Sequence, residues 1–385
     1  MDLIEADAKQ LLADHGLPTP AGRRIYGVGD VVGPVSNPVA VKAQILAGGR
    51  GKTGLVRLTN SADGPATISG VLAAMAERGL GPLVMIEDQI AFAEECYLAW
   101  RIDDLASAPV LLFSRHGGVD IEDHPDSIRT YRGDALRPAR ASDLIAFFLG
   151  LGFSGRALAA VSRFAADLLR VMLAEDAILV EINPLAFTER GDFVALDAKI
   201  TLDDNAAVRH GEWRRLRSHD IQQAEASPLE LRAAEEGFTF VELEGDVALF
   251  TGGAGLGMAL IDMLADAGHS AANFVDAPGG SGDRIFGAVT RMVFERAEAS
   301  EVKAIILFLT LSATSLKGAV QSILTLIETT PPPKPLIVGL VAAGAAEREM
   351  TLAEAQAAFR ARGVECVTEI ADAVAALNRM SRPLR

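Results

Sequence analysis

Between Leu179 and Asn205 the chain reads LVEINPLAFTERGDFVALDAKITLDDN. Glu181 and Asn183 stand two residues apart, as do Asp197 and Lys199. On a pleated strand residues at that spacing share a face. The segment reads as two apolar strands, 178–182 and 193–196, joined by a turn over 188–192 that carries Gly191. A carboxylate and a carboxamide facing a second carboxylate, with a lysine close by, form a hard-oxygen set suited to Mg²⁺. Magnesium takes one or two protein oxygens and completes its shell with phosphate, which suggests a nucleotide. The same pattern also fits an edge hairpin whose polar face is only solvated, and spacing alone leaves both readings open.

A second stretch carries phosphate chemistry. An apolar run over 39–46 leads into Ala47-Gly-Gly-Arg-Gly-Lys-Thr-Gly54. Glycines let backbone N–H groups approach oxygens, and Lys42, Arg50 and Lys52 supply cations to neutralise them. Gly51-Lys52-Thr53 resembles the end of a P-loop, but the earlier glycine that motif requires would fall at Leu46. A plain hairpin turn is the weaker alternative, given three cations. Further on, Glu87 and Glu95 are candidates to accept hydrogen bonds from an adenine amine or ribose hydroxyls, against the default of a solvated strand end. Cys96 reads as a small buried apolar residue, since no histidine lies nearby in sequence. His116 reads as a surface residue.

These residues must be positioned by a long chain. At 385 residues two to three domains are expected. The sequence is 50% hydrophobic and 23% charged, which is a globular composition. Its formal charge of −15 argues against nucleic acid or an anionic membrane as a general partner, because the summed field repels both. Two cysteines give no disulfide framework and fit a reducing compartment. The first residues are acidic and amphipathic, unlike a signal peptide, and the longest apolar stretches fall short of the ~20 residues that span a bilayer. A soluble, cytoplasmic protein is expected.

Helical periodicity over 3–15 stops at Gly16, before Pro18. Further helices are expected over 66–78, 144–152 and 156–174, strands over 39–46 and 83–87, and a hairpin over 98–113. The polar stretch 216–237 contains Ser227-Pro228 and holds the expected linker. From Phe238 strands and helices alternate. Strands at 247–250, 271–276, 305–310 and 336–340 each meet a small-residue loop and then a helix. Four such units argue for a doubly wound parallel sheet with ligands at the strands' carboxyl ends. The loop Thr251-Gly-Gly-Ala-Gly-Leu-Gly257 lacks dinucleotide spacing, since the third glycine would be Met258. The expected division is a nucleotide-binding region over 1–220, a linker over 221–237 and a second α/β domain over 238–385.

With these segments laid out, the chain resembles the β subunit of succinyl-CoA synthetase and related ADP-forming acid–CoA ligases. The resemblance rests on four places: Ala8-Lys-Gln-Leu-Leu12 with Gly16-Leu-Pro18; Val41-Lys-Ala-Gln44 with Ala47-Gly-Gly-Arg-Gly-Lys52; Glu181-Ile-Asn-Pro-Leu185 with Leu196-Asp197 and Lys199; and Gly253-Ala-Gly-Leu256 with Ala272-Asn-Phe274. It implies an α/β fold, an ATP-grasp region followed by a flavodoxin-like ligase domain. It implies Mg²⁺ on Asn183 and Asp197, nucleotide phosphates on Lys42, the Gly49 backbone and Arg50, and the base and ribose side on Glu87 and Glu95. Glu181 resembles the glutamate that orients a phosphorylated histidine belonging to a separate α subunit, which also binds CoA. The implied chemistry runs from ATP (or GTP) and a small carboxylic acid through an acyl phosphate and the phosphohistidine to acyl-CoA.

The sequence departs from that family in its last third. Gly252 stands where the family usually carries asparagine against the substrate carboxylate. Phe308-Leu-Thr-Leu-Ser-Ala-Thr-Ser315 replaces a glycine-rich loop, and Gly339-Leu-Val-Ala-Ala-Gly344 lacks the expected arginine and asparagines. Leu309 and Thr310 cannot replace glycines freely where positive φ or close approach is needed. Ser312, Thr314 and Ser315 supply hydroxyls, so Gly252, Thr310 and Ser312 are the candidate acid-side positions. The expected protein is a ligase β subunit whose acid is not succinate. The alternatives are a nucleotide-binding regulatory or scaffold subunit and an ATP-grasp ligase joining a carboxylate to an amine.

Overall fold

The computed structural model describes residues 1–27, 30, 38–46, 50–60, 63–105, 107–118, 125–134, 136–277, 282–311 and 315–380, without the side chains of 282–284 and 345. Two compact units divide the chain, Met1–Ala224 and Glu225–Arg385. The division falls within the stretch read as a linker.

The first unit runs α1 (Glu5–Asp14), β1 (Gly22–Ile25), β2 (Val39–Ala43), β3 (Val56–Thr59), α2 (Gly64–Ala76), β4 (Val84–Asp88), β5 (Glu94–Asp103), β6 (Ala108–Ser114), β7 (Arg129–Arg132), α3 (Ala141–Gly150), α4 (Gly155–Ala174), β8 (Ala177–Phe187), β9 (Phe193–Ala195), β10 (Lys199–Leu202) and α5 (Arg217–Glu225). Helix α1 ends where Gly16 takes φ +79°, a conformation open to glycine without strain. Two antiparallel sheets result, in orders β1-β4-β2-β3 and β10-β8-β5-β6-β7. Helix α2 closes the first over Val41, Ile68, Val71, Met75, Val84 and Ile86. Helix α4 buries Phe164, Ala165, Leu168 and Met172 with Trp100 and Phe113, and Trp100 Nε1 donates to the Ala165 carbonyl at 2.8 Å.

The expected hairpin is present, its turn closed by Thr188 N to Asp192 O at 2.9 Å, but its first strand runs past 182 and its second stops before Asp197. β8 is a single strand of 11 residues. Its far end pairs with β9, Leu185 opposite Ala195, while its near end pairs with β10, Glu181 opposite Lys199. Asp197 therefore does not share a strand face with Lys199; it sits in the break between β9 and β10. The cause is on β8 itself. Against β5, Cys96 faces Leu185 and Leu98 faces Ile182, so Asn183 and Pro184 together oppose Tyr97. Proline cannot donate to a ladder and is tolerated in a strand at such a bulge.

The second unit runs α6 (Pro228–Glu236), β11 (Thr239–Glu242), β12 (Val247–Thr251), α7 (Ala254–Asp266), β13 (Asn273–Asp276), α8 (Gly282–Ala297), β14 (Ala304–Leu311), α9 (Leu316–Thr329), β15 (Leu336–Ala342), α10 (Leu352–Arg360), β16 (Glu365–Val367) and α11 (Ile370–Met380). Ser227 and Glu230 form a capping box for α6, whose Leu229 and Ala233 join this unit's core. The parallel sheet has the order β12-β14-β15-β16. The strand expected over 271–276 is not a full member, because β13 pairs antiparallel with β11. It meets β12 through an Ala271–Val247 bridge and through the buried Asn273 amide, which accepts from Leu249 N at 3.0 Å and donates to Leu249 O at 2.7 Å. A side chain there replaces a rung of the ladder.

Candidate nucleotide and metal site

Helix α1 and strands β2 and β4 bring charged side chains into one buried cluster. Glu5 and Lys9 lie one helical turn apart, joined at 2.8 Å. Glu5 Oε1 also meets Lys42 Nζ at 2.7 Å, and its Oε2 faces Arg50 Nη1 at 2.7 Å. Lys9 reaches Glu87 at 2.5 and 2.7 Å, and Lys42 reaches Glu87 Oε2 at 2.8 Å. Arg50 Nη2 donates to both oxygens of Asp197 at 2.9 Å. Lys9 and Lys42 both donate to the Leu196 carbonyl, at 2.7 and 2.5 Å, which fixes the chain just before Asp197. Three carboxylates, Glu5, Glu87 and Asp197, thus meet three cations, Lys9, Lys42 and Arg50. Neutrality is what makes such burial tolerable.

The ionisations follow from that arrangement. Burial raises the Glu5 carboxyl, but Lys42, Lys9 and Arg50 outweigh it and hold it well below the usual range. Burial lowers Lys42 and Arg50, yet the facing carboxylates carry both above their ordinary values. Lys9 moves the other way, because burial and the neighbouring Lys42 charge exceed what Glu5 and Glu87 return. Asp197 keeps 36% of its side-chain surface, but protein hems it in on the network side. That desolvation, followed by Glu5, pushes its carboxyl up against the pull of Arg50 and Lys42.

Sequence expectations meet this geometry unevenly. Lys42, Arg50 and Asp197, nominated separately for phosphates and metal, lie together in the structure. Leu196 N donates to Pro184 O at 3.1 Å, so one further step along the register sets Asn183 opposite Asp197. Asn183 accepts from Gly118 N at 2.6 Å and donates to Gly118 O at 3.0 Å. Half-buried Glu95 reaches the same turn, where a Cβ on Gly118 (φ +94°) would lie 3.0 Å from its Oε2. Glu181 accepts from the Tyr97 hydroxyl at 3.4 Å, and burial, then that carboxylate, raise the Tyr97 pKa. Glu87 is not on an open face beside Glu95. Both its oxygens are taken by lysines inside the cluster, in space left by Gly22, whose Cβ would meet Glu87 Cγ at 3.0 Å. Cys96 is buried as expected, its thiol pushed up to about 12 by desolvation. Gly49 lies outside the described residues.

Sequence reasoning gave Glu5 and Lys9 no role. The signal was present, since opposite charges at i and i+4 lie beside the stripe formed by Ile4, Ala8 and Leu12.

In the second unit, the Thr310 hydroxyl donates to the Gly252 carbonyl at 2.9 Å across the carboxyl ends of β12 and β14. A Cβ at Gly252 would stand 2.9 Å from Thr310 N, so glycine is required by close approach. Leu309 points into the core, and Leu309 and Thr310 continue β14 without positive φ. The Ser315 hydroxyl is spent capping α9, where it accepts from Gly318 N at 3.3 Å. Ser312 lies outside the described residues.

Residues 2–187 match the family model described as an ATP-grasp domain. The subunit beta of the ADP-forming succinate–CoA ligase of Syntrophotalea carbinolica is 38% identical over 73% of this chain and 75% of its own. Subunit beta 1 of that ligase from Archaeoglobus fulgidus is 32% identical over 88% and 89%. Among solved structures, the ATP citrate lyase of Methanothrix soehngenii, in complex with citrate and coenzyme A, shares the fold. Its TM-score is 0.64 at 20% identity, with 95% of both chains covered. Fold and match together define an ATP-grasp ligase. The chain belongs to the family of β subunits of ADP-forming succinate–CoA ligases, and it is an acid–CoA ligase. Such ligases use ATP and Mg²⁺, and a β subunit implies an α partner. Among the described residues no helix is long and apolar enough to cross a membrane.

Proposed function

We propose that this chain supplies the nucleotide site of a two-subunit acid–CoA ligase. ATP or GTP drives it, the phosphoryl group passes through a histidine of the α partner that also binds CoA, and the acid is not succinate. The observation that carries the reading is the meeting of Lys42 and Arg50 with Asp197, opposite Asn183. Phosphoryl transfer asks for positioning and charge neutralisation, which this cluster is built to give.

Two hard-oxygen donors, a carboxamide and a carboxylate opposed across a strand break, fit Mg²⁺, so Asn183 and Asp197 would hold it. When bound there it would offset charge on the transferred phosphoryl group. Lys42, Arg50 and the Gly49 backbone receive the phosphates. Glu87 positions Lys42 from within the network, and Glu95, beside the Gly118 turn, accepts from the base or ribose. Glu181, steadied by Tyr97, holds one imidazole nitrogen of the partner histidine so that the other meets phosphorus. Thr310 and Ser312, with Gly252 at the strands' carboxyl ends, form the rewritten acid side. Two free buried cysteines agree with a cytoplasmic setting.

The test mixes the purified chain with an α subunit of this ligase type from the same genome and follows the γ-phosphate of ATP. Label on an α-chain histidine is expected. Nucleotide binding with no label would refute the relay.

A further inference from the structure

Arg50 joins Glu5 of the buried cluster to Asp197, the carboxylate at its partly open edge. Its Nη1 faces Glu5 of α1 at 2.7 Å and its Nη2 covers both oxygens of Asp197 at 2.9 Å. The guanidinium therefore sits on the oxygens that a metal needs, while the metal residue holds the cation that a phosphate needs. We infer that Asp197 and Arg50 form an internal exchange pair that makes the site reject metal-free nucleotide. The proposal rests on the nucleotide reading above.

The physical argument is one of partners. A nucleotide arriving without metal must draw Arg50 from Asp197 and leave that carboxylate facing added phosphate charge. A divalent cation arriving alone displaces Arg50 and leaves the guanidinium with Glu5 and the Ala43 carbonyl, which it meets at 3.1 Å. The first case leaves a desolvated carboxylate without its partner, and the second costs the guanidinium one of its two carboxylates. Metal and nucleotide together exchange all partners at once. The cation takes Asp197 and the phosphate takes Arg50, so each raises the affinity for the other by the same factor. Lys42 and Lys9 keep the Leu196 carbonyl throughout, so the exchange needs side-chain motion and no change of strand pairing.

The experiment is calorimetric binding of ADP to the full chain, with excess Mg²⁺ and again with a chelator. Asp197→Asn frees Arg50 and should tighten metal-free ADP about tenfold while abolishing most of the gap between the two conditions. Asp192→Asn removes one exposed charge in the turn between β8 and β9, leaves the pair in place and should shift metal-free binding by less than about threefold. Arg50→Lys keeps the charge but has one nitrogen, which cannot span Glu5 and Asp197, so it should narrow the gap as well. Unchanged or weaker metal-free binding in Asp197→Asn, or equal tightening in Asp192→Asn, overturns the exchange pair. If Asp197→Asn does not fold, an unchanged gap in Arg50→Lys does so. Wild-type protein that binds ADP in neither condition sinks the nucleotide reading and this inference with it.

Discussion

Replacing Glu5 by glutamine removes one negative charge from the centre of the cluster without leaving a cavity. The Glu5 side chain is 1% exposed and meets three cations at 2.7–2.8 Å. The set is formally neutral, so the variant leaves one net positive charge buried among Lys9, Lys42 and Arg50. Removing one member of a buried ion pair costs about 3–5 kcal/mol. The partly open Asp197 edge lets solvent soften this, which places the expected loss near the lower bound, about 3 kcal/mol. Both tryptophans, Trp100 and Trp213, lie within Met1–Ala224, so urea unfolding followed by their fluorescence reports on the unit that holds Glu5. Two further results should follow from charge rather than shape. Pyrophosphate should raise the melting temperature of Glu5→Gln more than that of wild type, because it restores negative charge. Adding Lys9→Met should recover at least about 1 kcal/mol, since neutrality returns with Glu87 and Asp197 facing Lys42 and Arg50. A loss under about 1 kcal/mol, or a double variant whose costs simply add, would refute the neutral-cluster argument.

Other perturbations reach the remaining elements. Gly252→Ala places a Cβ 2.9 Å from Thr310 N and should destabilise the second unit by about 1–3 kcal/mol in circular-dichroism melts, whereas Gly255→Ala, with nothing within 4 Å, should not. Glu181→Gln should leave Mg·ATP affinity within about twofold while blocking label transfer to the α partner, and normal transfer would remove its orienting role. Burial raises the Asp246 carboxyl, but the Ser270 amide, His269 and Lys303 outweigh it and hold the group below its ordinary value. A depressed carboxyl stabilises the fold above the unfolded pKa of about 4 and ceases to do so as pH falls through the lower folded value. Wild type should therefore exceed Asp246→Asn in stability at pH 6, and the two should converge below about pH 4; a constant difference would contradict the assignment. Cys96, with its thiol pushed up to about 12, should resist alkylation at pH 8 in native protein and react on unfolding.

The parts of this site that were legible in the sequence are those written in local pattern. Lys42, Arg50, Glu181, Asn183 and Asp197 each lie on or beside a strand, at spacings that hold without knowing the fold. Glu5 and Lys9 were not legible as members, because their partners come from elements as distant as Leu196 and a charged pair on a helix ordinarily marks a solvated face. Glu87 was misplaced for a related reason. A carboxylate at a strand end looks open until Gly22 and α1 are known to cover it. The hairpin was legible because its turn is a local signal, while the length of β8 and the bulge at Asn183 and Pro184 show only in the pairing with β5. β13 reads as a regular sheet strand until Asn273 is seen to substitute an amide for backbone pairing.

The second unit adds a constraint on how the acid side proposed above can change. Gly252 and Thr310 lie on neighbouring strands, and the Thr310 backbone occupies the space a side chain at 252 would need. The Thr310 hydroxyl then bonds the Gly252 carbonyl, so the absence of a side chain on one strand and the presence of a hydroxyl on the next are one packing solution. A larger residue placed at 252 alone meets backbone, which cannot rotate away as a side chain end can. Restoring a polar side chain at 252 therefore requires movement of the end of β14 as well. On the proposed acid-side role, a change of preference shifts through the pair together, and single substitutions at Gly252 should lose stability first.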